Sequence, residues 1–159
     1  MPPCLIFFIL IHFWVGGDFV IKLIVIDLDG TIYISRPDQL SAFYPNGTKK
    51  WGDYGIVDVW CSTPTIDGNN TIYVGGDREE IIALYPDDTI KWRFEVSIGE
   101  YMEVNPSNPV IGCDGTIYVA LLGYLPRLHG KLYALNTHCK LANSDWPTYG
   151  GNSQHDNKE

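Results

Sequence analysis

The sequence predicts an all-β fold, a partial β-propeller built of four-stranded antiparallel blades, and three observations lead there. The hexad Asp29-Gly30-Thr31-Ile32-Tyr33-Ile34 returns as Asn69-Asn70-Thr71-Ile72-Tyr73-Val74 and again as Asp114-Gly115-Thr116-Ile117-Tyr118-Val119. Its Thr-Ile-Tyr cores begin at 31, 71 and 116, spacings of 40 and 45 residues, inside the range of solenoids and propellers. No stretch shows a 3.6-residue apolar stripe, whereas 16 Gly, 10 Pro and 13% aromatic residues suit short strands joined by tight turns.

Each repeat supplies the strands of one blade in a fixed order. Ser62-Thr63-Pro64-Thr65-Ile66 and Ser107-Asn108-Pro109-Val110-Ile111 place a proline where a strand begins rather than in its middle. The Thr-Ile-Tyr core follows, β-branched and aromatic, entered through Asp-Gly or Asn-Asn, which tolerate the positive φ of a hairpin turn. A third strand, Leu40-Ser41-Ala42-Phe43 or Ile81-Ile82-Ala83-Leu84, ends in Tyr-Pro and the turn residues Asn46-Gly47 or Asp87-Asp88. The fourth starts at Lys50-Trp51 or Lys91-Trp92, with Ala42 to Trp51 and Ala83 to Trp92 each nine residues apart. The third repeat has Lys131-Leu132-Tyr133-Ala134-Leu135 but no Trp at that spacing.

The chain divides accordingly into an apolar N-terminal segment (1–17), blade 1 (18–61), blade 2 (62–106), blade 3 (107–140) and a Trp-Pro tail (141–159). The run of twelve apolar residues from 4 to 15 falls short of the roughly 20 a membrane span needs. Its length fits a secretory h-region, although no Lys or Arg precedes it and Gly16-Gly17 is an imperfect cleavage site. Alternatively Phe13-Trp14-Val15 is the last strand of a preceding blade. The first reading points to an extracytoplasmic or secreted protein. In the third repeat the distance from Thr116 to Ala134 is longer than its counterparts, and the extra residues, Gly123 to Gly130, form an expected loop on one rim. Three blades leave an open arc, since propellers close with about 4 to 8. The chain thus reads as the C-terminal portion of a propeller, with self-association through open blade edges as an expected consequence.

Ser-x-Pro-x-Ile, Asp-Gly-Thr-Ile-Tyr-Val, Leu-Tyr-Ala-Leu-x-Pro-Asp-Gly and Lys-Trp together resemble the PQQ-like (pyrroloquinoline-quinone-like) β-propeller repeat family over most of 18–139. The stretch from Leu141 through Trp146-Pro147 to His155 is similar to the closing segment of some such proteins. The resemblance implies that Trp51 and Trp92 pack each blade against the next. It also raises an enzymatic alternative, a fragment of a PQQ-dependent quinoprotein dehydrogenase holding PQQ and calcium near the ring axis, but no residue of this sequence can be assigned to that site.

A second resemblance is catalytic. Leu23-Ile24-Val25-Ile26-Asp27-Leu28-Asp29-Gly30-Thr31 looks like the first motif of haloacid-dehalogenase phosphatases. It implies Asp27 as nucleophile, Asp29 as acid/base and a magnesium ion bridging them to phosphate. Against this, Asp29 to Tyr33 recurs at 114–118 with Gly112 in place of Asp27, and the helices that family needs are not evident.

Charge and spacing exclude other classes. With 11 basic and 19 acidic residues the net charge is −8, unsuited to nucleic acid or anionic membranes. Cys4, Cys61, Cys113 and Cys139 lack metal-ligand spacing, as do His12, His129, His138 and His155. Asn46 and Asn69 fit a glycosylation sequon, but both sit in hairpin turns. The expectation is a non-catalytic binding or scaffolding module, with no catalytic, cofactor or metal residue assigned, whose partner is a protein or small molecule.

Overall fold

In the computed structural model the described residues are 23–36, 39–52, 62–76, 80–96, 104–123 and 129–137. The N-terminal run 4–15, the linkers 53–60 and 97–103, Cys4, Cys61 and Cys139, and the Trp-Pro tail lie outside them. The described residues contain β-structure and no helix. The strands are β1 (Leu23–Ile26), β2 (Ile32–Arg36), β3 (Gln39–Phe43), β4 (Lys49–Trp51), β5 (Thr65–Ile66), β6 (Ile72–Gly75), β7 (Glu80–Leu84), β8 (Ile90–Glu95), β9 (Val104–Pro106), β10 (Val110–Ile111), β11 (Thr116–Gly123) and β12 (His129–Asn136). No described helix is long and apolar enough to cross a membrane.

They form three antiparallel sheets, β1-β2-β3-β4, β5-β6-β7-β8, and β10-β11-β12 with β9 also paired to β11. None of the sheets closes on itself. The repeated turns explain the repeated sequence. Gly30, Asn70 and Gly115, at one repeat position, have φ of 82°, 60° and 85°, and Gly47 and Asp88, at another, 83° and 75°. Only Gly and short polar residues tolerate that left-handed region, which is why Asp-Gly exchanges with Asn-Asn and Asn-Gly with Asp-Asp. β5 and β10 begin directly after Pro64 and Pro109, the strand starts read from the sequence.

Register repeats as well. Tyr33 faces Ala42, Tyr73 faces Ala83 and Tyr118 faces Ala134. A bulge follows the alanine in the first two sheets, between Ala42 and Phe43 and between Ala83 and Leu84.

The third sheet departs from the four-rank pattern. β9 and β10 share one side of β11, pairing with Leu121–Gly123 and with Ile117–Tyr118 respectively, so they act as two halves of a broken first rank. The longer Thr116–Ala134 distance is taken up in part by a longer ladder, because Gly123 pairs with His129 and Leu122 with Gly130. Of the residues expected in the rim loop, 124–128 lie outside the described set.

Strand alternation sends successive side chains to opposite faces, and here both faces are apolar. Val25, Tyr33, Leu40 and Ala42 of the first sheet pack with Ile66, Ile72, Val74, Ile82 and Leu84 of the second. The other face of the second sheet, Tyr73, Ile81 and Ala83, packs with Ile111, Ile117, Val119 and Leu121 of the third. The middle sheet is therefore sandwiched, and every residue of β6 and β7 is buried.

Candidate functional site

The residues that most resemble a catalytic motif sit in the β1–β2 turn. Backbone bonds from Asp27 N to Thr31 O and from Gly30 N to Asp27 O close this turn and fold the Asp27 carboxylate back over it. Asp27 Oδ1 accepts from the amides of Asp29 at 3.1 Å and Thr31 at 3.0 Å, and Oδ2 accepts the Tyr33 hydroxyl at 2.8 Å. Asp29 Oδ1 accepts both the amide and the hydroxyl of Thr31. Lys50 Nζ lies 3.3 Å from Thr31 Oγ1 and 5.7 Å from the Tyr44 ring centre.

Burial first, and then the Asp29 side chain, push Asp27 from 3.8 up to about 6. Asp29 is held down at about 2, mainly by the Asp27 side chain and the Thr31 hydroxyl. The Tyr33 phenol is pushed well above its ordinary range by burial and by the Asp27 carboxylate it bonds.

The second sheet builds the same arrangement without the second acid. Asp67 Oδ1 accepts from the amides of Asn69 and Thr71, each at 2.9 Å, and Oδ2 accepts the Tyr73 hydroxyl at 2.7 Å. Lys91 Nζ reaches Thr71 Oγ1 at 3.0 Å and lies 5.5 Å from the Tyr85 ring centre, as Lys50 does one repeat earlier. In the third sheet Gly112 stands at this position, and the Asp114 carboxylate accepts from the Thr116 amide and hydroxyl. The sequence reading singled out Asp27 and Asp29 but missed Asp67, Tyr33 and Tyr73. The available signal was the Asp-to-Tyr spacing of six residues, present from 27 to 33 and from 67 to 73.

Chemically, this turn is a clamp. A nucleophilic carboxylate needs an oxygen open to its electrophile. Asp27 is 3% exposed, and both its oxygens are engaged with the turn and the phenol. Asp87 and Asp88, in the β7–β8 turn, lie in a separate hairpin; Asp87 Oδ1 accepts the amide and hydroxyl of Thr89. Among the described residues no three His, Cys, Asp or Glu side chains converge where they could hold a metal.

Trp51 and Trp92 mark the two junctions between sheets. Each ring lies 5.8 Å from a tyrosine of its own sheet, Tyr33 or Tyr73, at 50° and 47°. Trp51 Nε1 also crosses to the second sheet, donating to Pro86 O at 2.8 Å. At the second junction the repeat places Thr137 where Pro86 would stand, and Thr137 instead donates its hydroxyl to Gly115 O at 2.8 Å. Beside it, Tyr73, Trp92, Phe94, Leu135 and Thr137 line a groove of about 400 Å³, a volume typical of small-ligand sites. Phe94 meets Tyr133 edge-on at 6.0 Å on the same junction. Arg93, also at the groove, is tied to the buried Glu80. This aromatic groove, which the sequence did not reveal, is a concavity among the described residues with the volume of a small-ligand site.

No family model matches the chain, and no curated protein matches it. Among solved structures 31 chains match. One is a crystal structure of a protein of unknown function from Bacteroides caccae, 10% identical, with a TM-score of 0.35; the match covers 78% of this chain and 64% of that one.

Proposed function

We propose that the chain is a non-catalytic β-propeller repeat module, related to PQQ-like repeats, that serves binding or scaffolding. The observation that carries this reading is the sandwiched middle sheet, apolar on both faces and joined to each neighbour beside a Tyr–Trp pair. Blades that stack face to face need apolar residues on both sides, and a repeat of about 40 residues with four antiparallel strands is a blade-sized unit. The Asp27 clamp recurs at Asp67, and recurrence from unit to unit favours a hairpin-building role over a nucleophile.

Two assays separate this reading from its enzymatic rivals. A quinoprotein reduces a dye when PQQ and calcium are added, and a phosphatase turns over p-nitrophenyl phosphate with magnesium and loses that activity in Asp27→Asn. The scaffold reading expects neither turnover, and either one, abolished by the matching substitution or by omitting the cofactor, overturns it. Binding is measured directly by Trp fluorescence, since Trp92 borders the groove.

A further inference from the structure

We infer that the outward face of the third sheet binds the same face of a second copy of this chain, closing a two-fold dimer. The inference rests on the reading of the chain as a stack of repeat sheets, and it names the partner.

The face is built from Val110, Tyr118, Ala120, Leu132 and Ala134, which strand alternation sets opposite the residues packed on the second sheet. Each occupies a position that is covered in the earlier repeats. Tyr118 corresponds to Tyr33 and Tyr73, Ala134 to Ala42 and Ala83, and Leu132 to Leu40 and Ile81, all of them buried. In the third sheet the same positions are open, with Tyr118 38% exposed, Val110 41% and Leu132 69%. The equivalent faces of the first two sheets each pack on the opposite face of the next sheet, which marks this exposed face as a stacking face too. No charged side chain lies on it among the described residues, although the chain carries a net charge of −8. Depletion of charge is what distinguishes the centre of an interface from ordinary surface.

The shape of the face selects a second copy. Tyr118 pairs across β11 and β12 with Ala134, and Ala120 with Leu132, so large and small side chains alternate as on a checkerboard. A two-fold axis in the plane of the interface, parallel to the strands and between β11 and β12, sets Tyr118 over Ala134 of the second copy and Leu132 over its Ala120. Tyr118 and Leu132 then each meet a hollow, and this part of the contact is self-complementary, as two-fold symmetry requires. On the outer side of the first sheet, among the described residues, Ile34, Ser41 and Phe43 are buried and Ile24 is 44% exposed, against three large exposed apolar side chains on the third sheet, which favours pairing of third sheets over head-to-tail stacking.

Sedimentation of the full chain from about 1 to 200 µM tests this, a range that resolves micromolar dimers. The expected result is a monomer–dimer equilibrium weakened at least tenfold by Leu132→Lys and also by Ala134→Trp, which fills the hollow. A nonspecific sticky face would instead gain from the added Trp. A monomer at every concentration, a dimer indifferent to both substitutions, tighter association of Ala134→Trp, or an open series of larger masses each overturns the inference. So does a monomer whose melting temperature falls with Leu132→Lys, because the face is then covered by the chain's own residues. Turnover in the PQQ or phosphatase assay refutes the scaffold reading and leaves the sedimentation result untouched, so the two fail separately.

Discussion

Tyr33 donates its phenolic hydrogen to Oδ2 of Asp27 at 2.8 Å, tying the second strand of its sheet to the turn that precedes it. The ring of the same tyrosine lies beside Trp51 at the junction with the next sheet. One side chain thus links hairpin geometry to the stacking of sheets, and the pair is repeated by Tyr73 and Asp67.

Removing that carboxylate strips partners from a buried hydroxyl and two turn amides. Asp27→Ala should cost about 2–4 kcal/mol, given about 1–3 kcal/mol for each buried group left unsatisfied and partial recovery through water. Tyr33→Phe keeps the amide bonds and should cost about 1–2 kcal/mol. Urea unfolding of both variants and of the double variant measures the coupling. Additive costs would show that the two groups do not act together.

Trp51 contributes packing and one hydrogen bond between sheets. Trp51→Ala should lose about 3–5 kcal/mol, and Trp51→Phe, which gives up the bond to Pro86 O, a smaller amount near ~1–2 kcal/mol. A loss under about 1 kcal/mol for the alanine variant in urea unfolding would remove the junction role from this residue.

The pH dependence follows from the two carboxyl groups. Between 3.8 and about 6 folded Asp27 keeps a proton that the unfolded chain has released. Its contribution is therefore complete below 3.8 and is lost as pH rises through about 6. Asp29 has the opposite sign, its contribution being lost as pH falls from 3.8 to about 2. Asp27→Asn should flatten the decline in urea midpoint between pH of about 4 and about 7. An unchanged decline in that variant would assign it to another group.

Left-handed turn positions give a conformational test. Asp88, at φ 75°, sits where the first repeat has Gly47. Asp88→Gly should stabilise by a few tenths to about 1 kcal/mol, because it relieves the backbone and removes a carboxylate beside Asp87. Gly47→Ala should destabilise by about 1 kcal/mol. Equal and opposite shifts in thermal midpoint would fit; a destabilised Asp88→Gly would not.

Much of the architecture could be read from local chemistry. Asp-Gly and Asn-Asn announced the turns, Pro64 and Pro109 the strand starts, and the β-branched and aromatic Thr-Ile-Tyr cores the central strands. The role of Asp27 could not be read that way. Its apolar approach and Asp-x-Asp-Gly-Thr pattern match a phosphatase motif, and only the fold of the turn brings its oxygens to Thr31 N and Tyr33 Oη. The third sheet misled for a related reason. Gly123 and Gly130 look like loop residues, yet β9 supplies a partner strand that extends the ladder through Gly123–His129. The groove at Trp92 brings Tyr73 and Phe94 of the second sheet together with Leu135 and Thr137 of the third repeat, a tertiary juxtaposition that spacing does not encode.

Amide hydrogen exchange tests the stacked arrangement most directly. Because β6 and β7 are buried on both faces while β12 has one open face in the single chain, amides 72–75 and 80–84 should exchange only through global unfolding, and those of Leu132 and Ala134, at concentrations where the chain is monomeric, should exchange faster. If the middle strands exchange as fast as β12, the second sheet is not sandwiched, and the repeat-stack account fails.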